Sequence, residues 1–257
     1  MFDDIKKKFS STDSLIIFIH GIATRSNDWE CLLEILCPGQ YQFIRWNKLG
    51  SYSIGKHSVF SLSFFTGSFL DDYTEASMEL YAERILALVT LLPPKKKLIF
   101  VAHSLGGLVV KHILVFHPEI LKRTKKVLTI GTPNLGVPLT LPYPQVISQL
   151  NRRGKYIKNL NNMWIQTKLV KKKNWGVIGG IVNSLMNGIL PQPYRTDGAG
   201  PGFVAIQSAI PFEWKKCKLN EVYNRSELYG FCMKVYAGHQ ELLCCKQILP
   251  GMQWVLQ

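Results

Sequence analysis

The chain has 257 residues, of which 47% are hydrophobic, enough to form one large buried core. Lysine and arginine number 31 against 17 aspartates and glutamates, so the net charge of +14 should attract polyanions or anionic lipid. The sequence lacks the roughly 18 consecutive apolar residues of a transmembrane helix, and the apolar run at 15–19 is too short for a signal peptide.

The six cysteines form no paired zinc motif, because none of them belongs to a C-x-x-C pair that is matched by a second such pair or by histidines. We therefore expect reduced and mostly buried thiols. Together with the missing signal peptide, this pattern predicts a cytoplasmic protein that is not secreted through an N-terminal signal.

Strand-like and helix-like segments alternate along the chain after a polar lead-in over residues 1–13. In chain order, the patterns predict a strand at 15–20, a helix at 28–36, a strand at 41–46, a β-rich run at 58–65, a helix at 73–92, a strand at 97–102, a helix at 106–116, strands at 126–130, 175–180 and 232–237, and a closing helix near 242–249. Such alternation is typical of a mostly parallel sheet with helices on both faces.

Residues 134–172 interrupt this alternation with prolines and then a helical, basic stretch. We interpret the segment as a lid-like insertion within one domain that spans residues 1–257. The basic residues of the segment are Arg152, Arg153, Lys155, Lys158, Lys168, Lys171, Lys172 and Lys173. Interspersed with apolar residues, they suit contact with an anionic membrane surface. The alternative is a solvated helix whose apolar side packs on the domain. Nucleic acid is not expected as a partner, because no nucleic-acid-binding motif accompanies the charge.

The segment 98–111, LIFVAHSLGGLVVK, predicts a buried strand, a tight turn at Ser104 and a helix. This is the pattern of a nucleophile elbow, in which small residues flank the serine because larger side chains would collide with the neighbouring strand and helix. Ala102 stands where G-x-S-x-G has its first glycine, and alanine is still small. Ser104 is therefore the predicted nucleophile.

With this elbow, two further motifs resemble those of the α/β-hydrolase superfamily in its lipase and esterase branch: His20-Gly21-Ile22 after the first strand, and Gly131-Thr132-Pro133 after the strand that follows the elbow. The resemblance covers roughly residues 14–250. It implies an α/β-hydrolase fold and relatives that act on acylglycerols, phospholipids and lipid-anchored substrates. It also implies an oxyanion hole formed by the backbone N–H groups of Ile22 and Leu105, with His20 as a structural histidine that bonds backbone.

The superfamily orders its triad as serine, acid and histidine along the chain. His239 follows the last predicted strand, where the fold places its base, whereas His112 and His117 lie on the helix after the elbow. The acid is predicted to be Asp197, the only aspartate downstream of Ser104. Residues 199–202 (AGPG) separate Asp197 from the stretch that matches relatives, so the acid loop is altered and Glu213 is the weaker substitute.

These residues predict acyl transfer through an acyl-enzyme on Ser104, with no metal or organic cofactor. We expect an esterase or lipase that acts on an acyl lipid. The same triad also serves thioesterases and amidases, and a catalytically silent binding homologue is an alternative from another class. The sequence leaves acyl chain length, head group and oligomeric state open.

Overall fold

A computed structural model of the chain describes residues 12–22, 24–48, 57–66, 76–138, 145–182, 196–197 and 204–257. Within these residues, seven strands form one sheet: β1 (Leu15–Ile19), β2 (Tyr41–Arg45), β3 (Val59–Ser63), β4 (Leu98–His103), β5 (Thr124–Ile130), β6 (Trp175–Ile181) and β7 (Phe231–Tyr236). The strand order is β2-β3-β1-β4-β5-β6-β7, and every neighbouring pair is parallel. The predicted mostly parallel sheet is thereby confirmed.

Helices lie between and after the strands. They are α1 (Glu30–Leu36), α2 (Met78–Thr90), α3 (Leu105–Phe116), α4 (Pro118–Arg123), α5 (Gln145–Gln149), α6 (Lys155–Trp164), α7 (Lys168–Lys171), α8 (Ile206–Ala209) and α9 (Leu249–Val255). Short 3-10 turns occupy Ser26–Trp29, Trp46–Lys48, Glu241–Leu243 and Lys246–Ile248.

The sheet separates two hydrophobic clusters because successive side chains of a strand point to opposite faces. In β1, Ile17 and Ile19 join the cluster that contains residues of α2 and α3, whereas Ile16 and Phe18 join the cluster that contains residues of α1 and α9. All five residues of β1 are buried. Each fully buried side chain of this size contributes about 1.5–3 kcal/mol, so both layers of helices are held firmly against the sheet.

Two predicted helices differ from the observed ones at their ends. The helix predicted at 73–92 is observed as α2, whose N-terminus is capped by Ser77 Oγ accepting from Leu80 N over 3.1 Å; residues 73–75 lie outside the described part of the chain. The closing helix predicted near 242–249 is observed instead as two 3-10 turns followed by α9. The physical reason is Pro250, which belongs in the first turn of a helix and therefore marks the start of α9.

The expectation of six reduced thiols is wrong, because Cys31 of α1 and Cys244 form a disulfide. They are 213 residues apart in sequence, so local spacing carries no signal for the pair. Cys37, Cys217 and Cys232 are free and buried, and Cys245 is free and half-buried. The cysteines therefore give no argument for a reducing compartment. None of the helices in the described ranges is long and apolar enough to cross a bilayer.

The segment 134–172 contributes α5, α6 and α7, while its residues 139–144 fall outside the described ranges. Helix α6 packs against α3, and its apolar side, formed by Ile157, Leu160 and Trp164, is buried. Met163 and Ile165, at the end of this helix, are exposed.

Candidate active site

The candidate site lies where the strand order reverses. Strand β1 has β3 on one side and β4 on the other, so connections leave this point of the sheet in opposite directions and open a crevice at the carboxyl ends of the strands. Ser104 follows β4 directly, and Gly21 and Ile22 follow β1. The fold therefore brings the serine turn and the predicted oxyanion loop to the same crevice.

Ser104 occupies a strained turn between β4 and α3. Its backbone has φ 52° and ψ −127°, a combination that few non-glycine residues adopt, and its N–H donates to Ile130 O over 2.9 Å. The small residue at 106 is required by close packing, because a Cβ on Gly106 would lie only 2.2 Å from His20 O. The turn thus directs the hydroxyl of Ser104 into the crevice while α3 passes close to the end of β1.

The predicted base and acid lie beside this serine. His239 Nε2 is 2.8 Å from Ser104 Oγ, and His239 Nδ1 is 2.7 Å from Asp197 Oδ2. A carboxylate only accepts hydrogen bonds, so Nδ1 carries the proton toward Asp197 and Nε2 is left to accept from the serine hydroxyl. In this tautomer the imidazole can take the serine proton.

Asp197 is held in place by the backbone on both sides of the altered loop. Its Oδ1 accepts from Val204 N over 2.9 Å, and Thr196 pairs with Ala205 in an antiparallel bridge. The backbone N–H of His239 donates to Asp197 O over 2.7 Å, which fixes the two residues to each other a second time. The predicted AGPG departure at 199–202 lies outside the described residues, and the chain on either side of it closes around Asp197.

The weaker candidate acid, Glu213, lies elsewhere. Its buried carboxylate accepts from the Ser226 hydroxyl and from Glu227 N, and Lys216 Nζ is 3.7 Å away. Of the two acids considered from sequence, the structure brings Asp197 to His239 and places Glu213 in a separate polar cluster.

The residues predicted to donate to an oxyanion are close to Ser104 in the fold. A Cβ on Gly21, the neighbour of Ile22, would lie 2.6 Å from Ser104 Cβ, so the loop after β1 runs directly against this serine. Leu105 is the first residue of α3, and the first N–H groups of a helix have no intrahelical acceptor. In the described ranges, neither the Ile22 nor the Leu105 N–H has an acceptor. Both amides are therefore free to face an oxyanion.

His20 supports the loop after β1 through hydrogen bonds and ring packing. Its Nδ1 donates to Gly21 O over 2.7 Å, and its Nε2 is 2.9 Å from Ser63 Oγ. The ring is fully buried and stacks on Phe64, with 4.2 Å between the ring centroids. These contacts fit the structural role expected for His20.

One residue of the site, His103, is not predicted by the sequence patterns. It precedes Ser104, is fully buried, and donates from Nε2 to the backbone carbonyl of His239 over 2.8 Å. Burial first, and then the nearby His239, hold the pKa of His103 well below its usual range, so this second imidazole is neutral. Its place directly before Ser104 is the only signal the sequence offered.

The other two downstream histidines lie away from the crevice. His112 Nδ1 is 2.7 Å from Tyr156 OH of α6, and His117 Nδ1 is 3.4 Å from a carboxylate oxygen of Glu119. They therefore compete with His239 neither for Ser104 nor for Asp197.

A buried lysine connects α3 to the segment above it. Lys111 Nζ donates to Asn134 Oδ1 over 3.3 Å and to Asn161 Oδ1 over 2.5 Å, and it lies 5.3 Å from the ring centroid of Trp175. Burial lowers the pKa of Lys111 to about 7. The amine links the residues after Gly131-Thr132-Pro133 to α6.

A chain with this sheet order, and with its nucleophile elbow between β4 and α3, has the fold of the α/β-hydrolase superfamily. Within that superfamily, it belongs to the PGAP1-like alpha/beta domain family, whose profile matches residues 11–220. A comparison with curated proteins gives no match.

Several solved structures are similar in fold. The product of gene lin2722 from Listeria innocua is 13% identical with a TM-score of 0.55, and the match covers 95% of this chain and 94% of that one. Lipase BlEst2 from Bacillus licheniformis, in its propeptide form, is 14% identical with a TM-score of 0.57, over 95% of this chain and 50% of that one.

Phospholipase PlaB from Legionella pneumophila, in complex with thio-NAD, is 17% identical with a TM-score of 0.53, over 76% of this chain and 44% of that one. The present chain thus spans half or less of the length of PlaB and BlEst2. At these identities the similarity concerns the fold.

Proposed function

We propose that the chain is a serine hydrolase of carboxylic esters that acts on an acyl lipid through an acyl-enzyme on Ser104. The observation that carries the proposal is the unbroken series of hydrogen bonds from Ser104 Oγ through His239 to Asp197, at 2.8 Å and 2.7 Å. A nucleophile, a base in hydrogen-bond contact with it and a third group that orients the base are what covalent ester hydrolysis requires.

In the proposed reaction, Ser104 Oγ attacks the ester carbonyl carbon while His239 Nε2 takes the hydroxyl proton. The carbonyl oxygen becomes an oxyanion and accepts from the N–H groups of Ile22 and Leu105. The protonated His239 then gives its proton to the departing alkoxide, which leaves as the alcohol. Water, deprotonated by the same nitrogen, attacks the acyl-enzyme. His239 then returns this proton to Ser104 Oγ as the acyl–oxygen bond breaks, which releases the carboxylic acid and the free serine. No metal or organic cofactor takes part.

A lipid substrate is supported by two observations. Among the proteins of similar fold, PlaB is named a phospholipase and BlEst2 a lipase. In this chain, α6 carries the exposed lysines Lys155 and Lys158, and the exposed apolar residues Met163 and Ile165 lie at its C-terminal end. We propose that residues 134–172 act as the lid of a single domain, and that α6 touches an anionic membrane surface there.

The same triad could cleave thioesters or amides, and a silent binding protein could retain it as a relic. The hydrogen bonds around His239 argue against a silent protein. A protein without catalytic activity would be under no selection to keep His239 bonded both to Asp197 and to His103.

The proposal is tested with a p-nitrophenyl ester series of increasing acyl length, with Ser104→Ala in parallel and Ser148→Ala, an exposed serine on α5, as the control. We expect turnover and labelling by a fluorophosphonate probe in wild type and Ser148→Ala, and neither in Ser104→Ala. Labelling without ester turnover, also in the presence of anionic micelles, would shift the assignment to thioesters or amides. Absence of labelling in folded protein would favour the silent homologue.

A further inference from the structure

The end of the sheet opposite to Ser104 carries a lysine-rich pocket. Its volume is about 300 Å³, within the range of small-molecule sites. Six lysines line it: Lys97, Lys122, Lys125, Lys126, Lys168 and Lys172.

These lysines come together from several elements at the amino ends of the central strands. Lys97 directly precedes β4, and Lys125 and Lys126 are among the first residues of β5. Lys122 belongs to α4, while Lys168 and Lys172 come from α7 and the residue after it. Because Ser104 follows the carboxyl end of β4, a six-residue strand, the pocket lies about 20 Å from the nucleophile. It is therefore a separate place in the molecule.

Positive charges outnumber negative ones around the pocket. The described residues that line it include no aspartate or glutamate, so the α-carboxylate of Gln257 is the one negative group among them that opposes the six lysines. None of these lysines forms an ion pair with another described residue. Like charges held around one cavity repel each other, so the arrangement costs stability unless an anion enters.

Lys126 shows this imbalance most clearly. Its Nζ donates to Trp254 O over 2.6 Å and lies 4.6 Å from the centroid of the Trp254 ring, so it is anchored half inside the protein. Burial first, and then the positive charge of Lys125, lower the pKa of Lys126 to about 8. These interactions are with neutral groups, so they offset none of the positive charge of the cluster.

We infer that this pocket is a second binding site, which takes a small ligand bearing two or more phosphate groups. Each phosphate monoester carries nearly two negative charges and three strong acceptor oxygens, and ammonium groups bind phosphates as point charges. Six ammonium groups from different elements surround the cavity, which suits several phosphates better than one. The neutral amide of Asn174 also lines the pocket and can donate to phosphate oxygens.

This assignment separates two groups of lysines within residues 134–172, which form one continuous basic segment in the sequence. Lys168 and Lys172 line the pocket at the amino end of the sheet, whereas Lys155 and Lys158 belong to α6, which packs on the helix after the nucleophile. The two groups of lysines therefore cannot serve one common surface beside the active-site crevice.

The phosphate groups can come from a soluble polyphosphate or from a lipid headgroup, and the experiment has an arm for each. Inositol hexakisphosphate is titrated calorimetrically, and phosphatidylcholine vesicles containing phosphatidylinositol 4,5-bisphosphate are used in a sedimentation assay. The pocket variant carries Lys168→Glu with Lys172→Glu. The matched control carries Lys171→Glu with Lys246→Glu, which change the net charge equally at exposed lysines outside both the pocket and α6.

We expect wild-type protein to bind in at least one arm, the pocket variant to bind at least tenfold more weakly there, and the control to change less than twofold. Lys122→Glu, on a different helix, should weaken binding as well, and the melting temperatures of all variants establish that they are folded. Equal losses in the pocket variant and the control would overturn the inference, as would the absence of binding to both probes at low salt. The readout is binding alone, so it does not depend on the proposed hydrolysis.

Discussion

The imidazole of His103 supports the backbone of His239: its Nε2–H donates to the His239 carbonyl over 2.8 Å, and the centroids of the two rings are 4.5 Å apart. The residue before the proposed nucleophile, Ser104, thus holds the residue that is proposed to accept the serine proton. Because the loop carrying His239 is also bonded to Asp197 through its backbone N–H, the base is fixed from two sides.

Replacing His103 by phenylalanine keeps a ring in the core but removes the donor to His239 O. We expect kcat/KM for ester hydrolysis to fall roughly fivefold, because the lost hydrogen bond, worth about 1 kcal/mol, holds the base in position. His103→Gln, which retains a donor, should recover part of the rate. The pH profile of kcat/KM distinguishes a role of His103 in positioning His239 from a general loss of protein stability. The acidic limb of the profile should shift in His103→Phe only if His239 has moved. An unchanged rate and profile in folded His103→Phe would show that the bond is dispensable.

Asp197→Asn should reduce kcat by a factor on the order of 10⁴, because an amide can donate to His239 Nδ1 and so favour the wrong tautomer. Shape and volume are nearly conserved, so the variant should still be labelled slowly by a fluorophosphonate at Ser104. Steady-state hydrolysis and labelling rates measure the two effects.

Glu213→Gln is the control for the choice of acid. Glu213 holds Ser226 and Glu227 N in its own cluster, so its replacement should lower the melting temperature and leave kcat within about threefold of wild type. A collapse of kcat in Glu213→Gln, with Asp197→Asn active, would reverse the assignment of the acid.

Gly21→Ala should impair catalysis more than stability. The added methyl group would lie 2.6 Å from Ser104 Cβ, so either the oxyanion loop or the serine must move. Lengthening this contact to an ordinary 3.4 Å requires a shift on the order of 1 Å. A shift of about 1 Å at a catalytic group costs about 10²-fold in rate. Gly39→Ala is the comparison: its φ of 65° makes alanine strained, but nothing lies within 4 Å of the new Cβ. That variant should lose stability, about 1 kcal/mol, and keep its activity per folded molecule.

Lys111 should make stability depend on pH. Burial lowers its pKa from 10.5 to about 7 in the folded protein, while the unfolded chain keeps the ordinary value. Between about pH 7 and 10.5 the unfolded state therefore binds more protons, and the free energy of unfolding should rise by up to about 1.4 kcal/mol per pH unit from this group. Below about pH 7 the amine is charged in both states and its burial opposes folding in full.

Urea denaturation of Lys111→Met and wild type at pH 6, 7.5 and 9 tests this linkage. The variant loses the bonds to Asn134 and Asn161 at every pH, but it should compare more favourably with wild type at pH 6 than at pH 9. Lys158→Met, on the exposed side of α6, should change stability by the same small amount throughout. Parallel curves for Lys111→Met and wild type would rule out titration of the buried amine.

Much of the fold follows from local patterns. Buried strands such as 98–103 read as apolar runs, and each was predicted within about two residues, because burial on both faces leaves little choice of side chain. The elbow motif predicts Ser104, and chain order predicts His239 and Asp197. The structure brings the three together, although the catalytic role of each is part of the proposal.

The rest depends on contacts between distant parts of the chain. The sequence alone places Lys111 as a polar residue on a helix. Only the packing of α6 on that helix in the folded chain shows that Lys111 is buried. The donor from His103 to His239 joins residues 136 positions apart. The six lysines of the pocket come from three stretches of sequence, at 97, 122–126 and 168–172, and only the folded chain makes these stretches neighbours.

The disulfide between Cys31 and Cys244 turns most of the chain into a covalent ring, and Ser104, Asp197 and His239 all lie on the ring between the two cysteines. A single proteolytic cut anywhere within it leaves one nicked molecule, in which Ser104, Asp197 and His239 are still joined by covalent bonds. Release of two separate fragments needs a reductant as well as a protease.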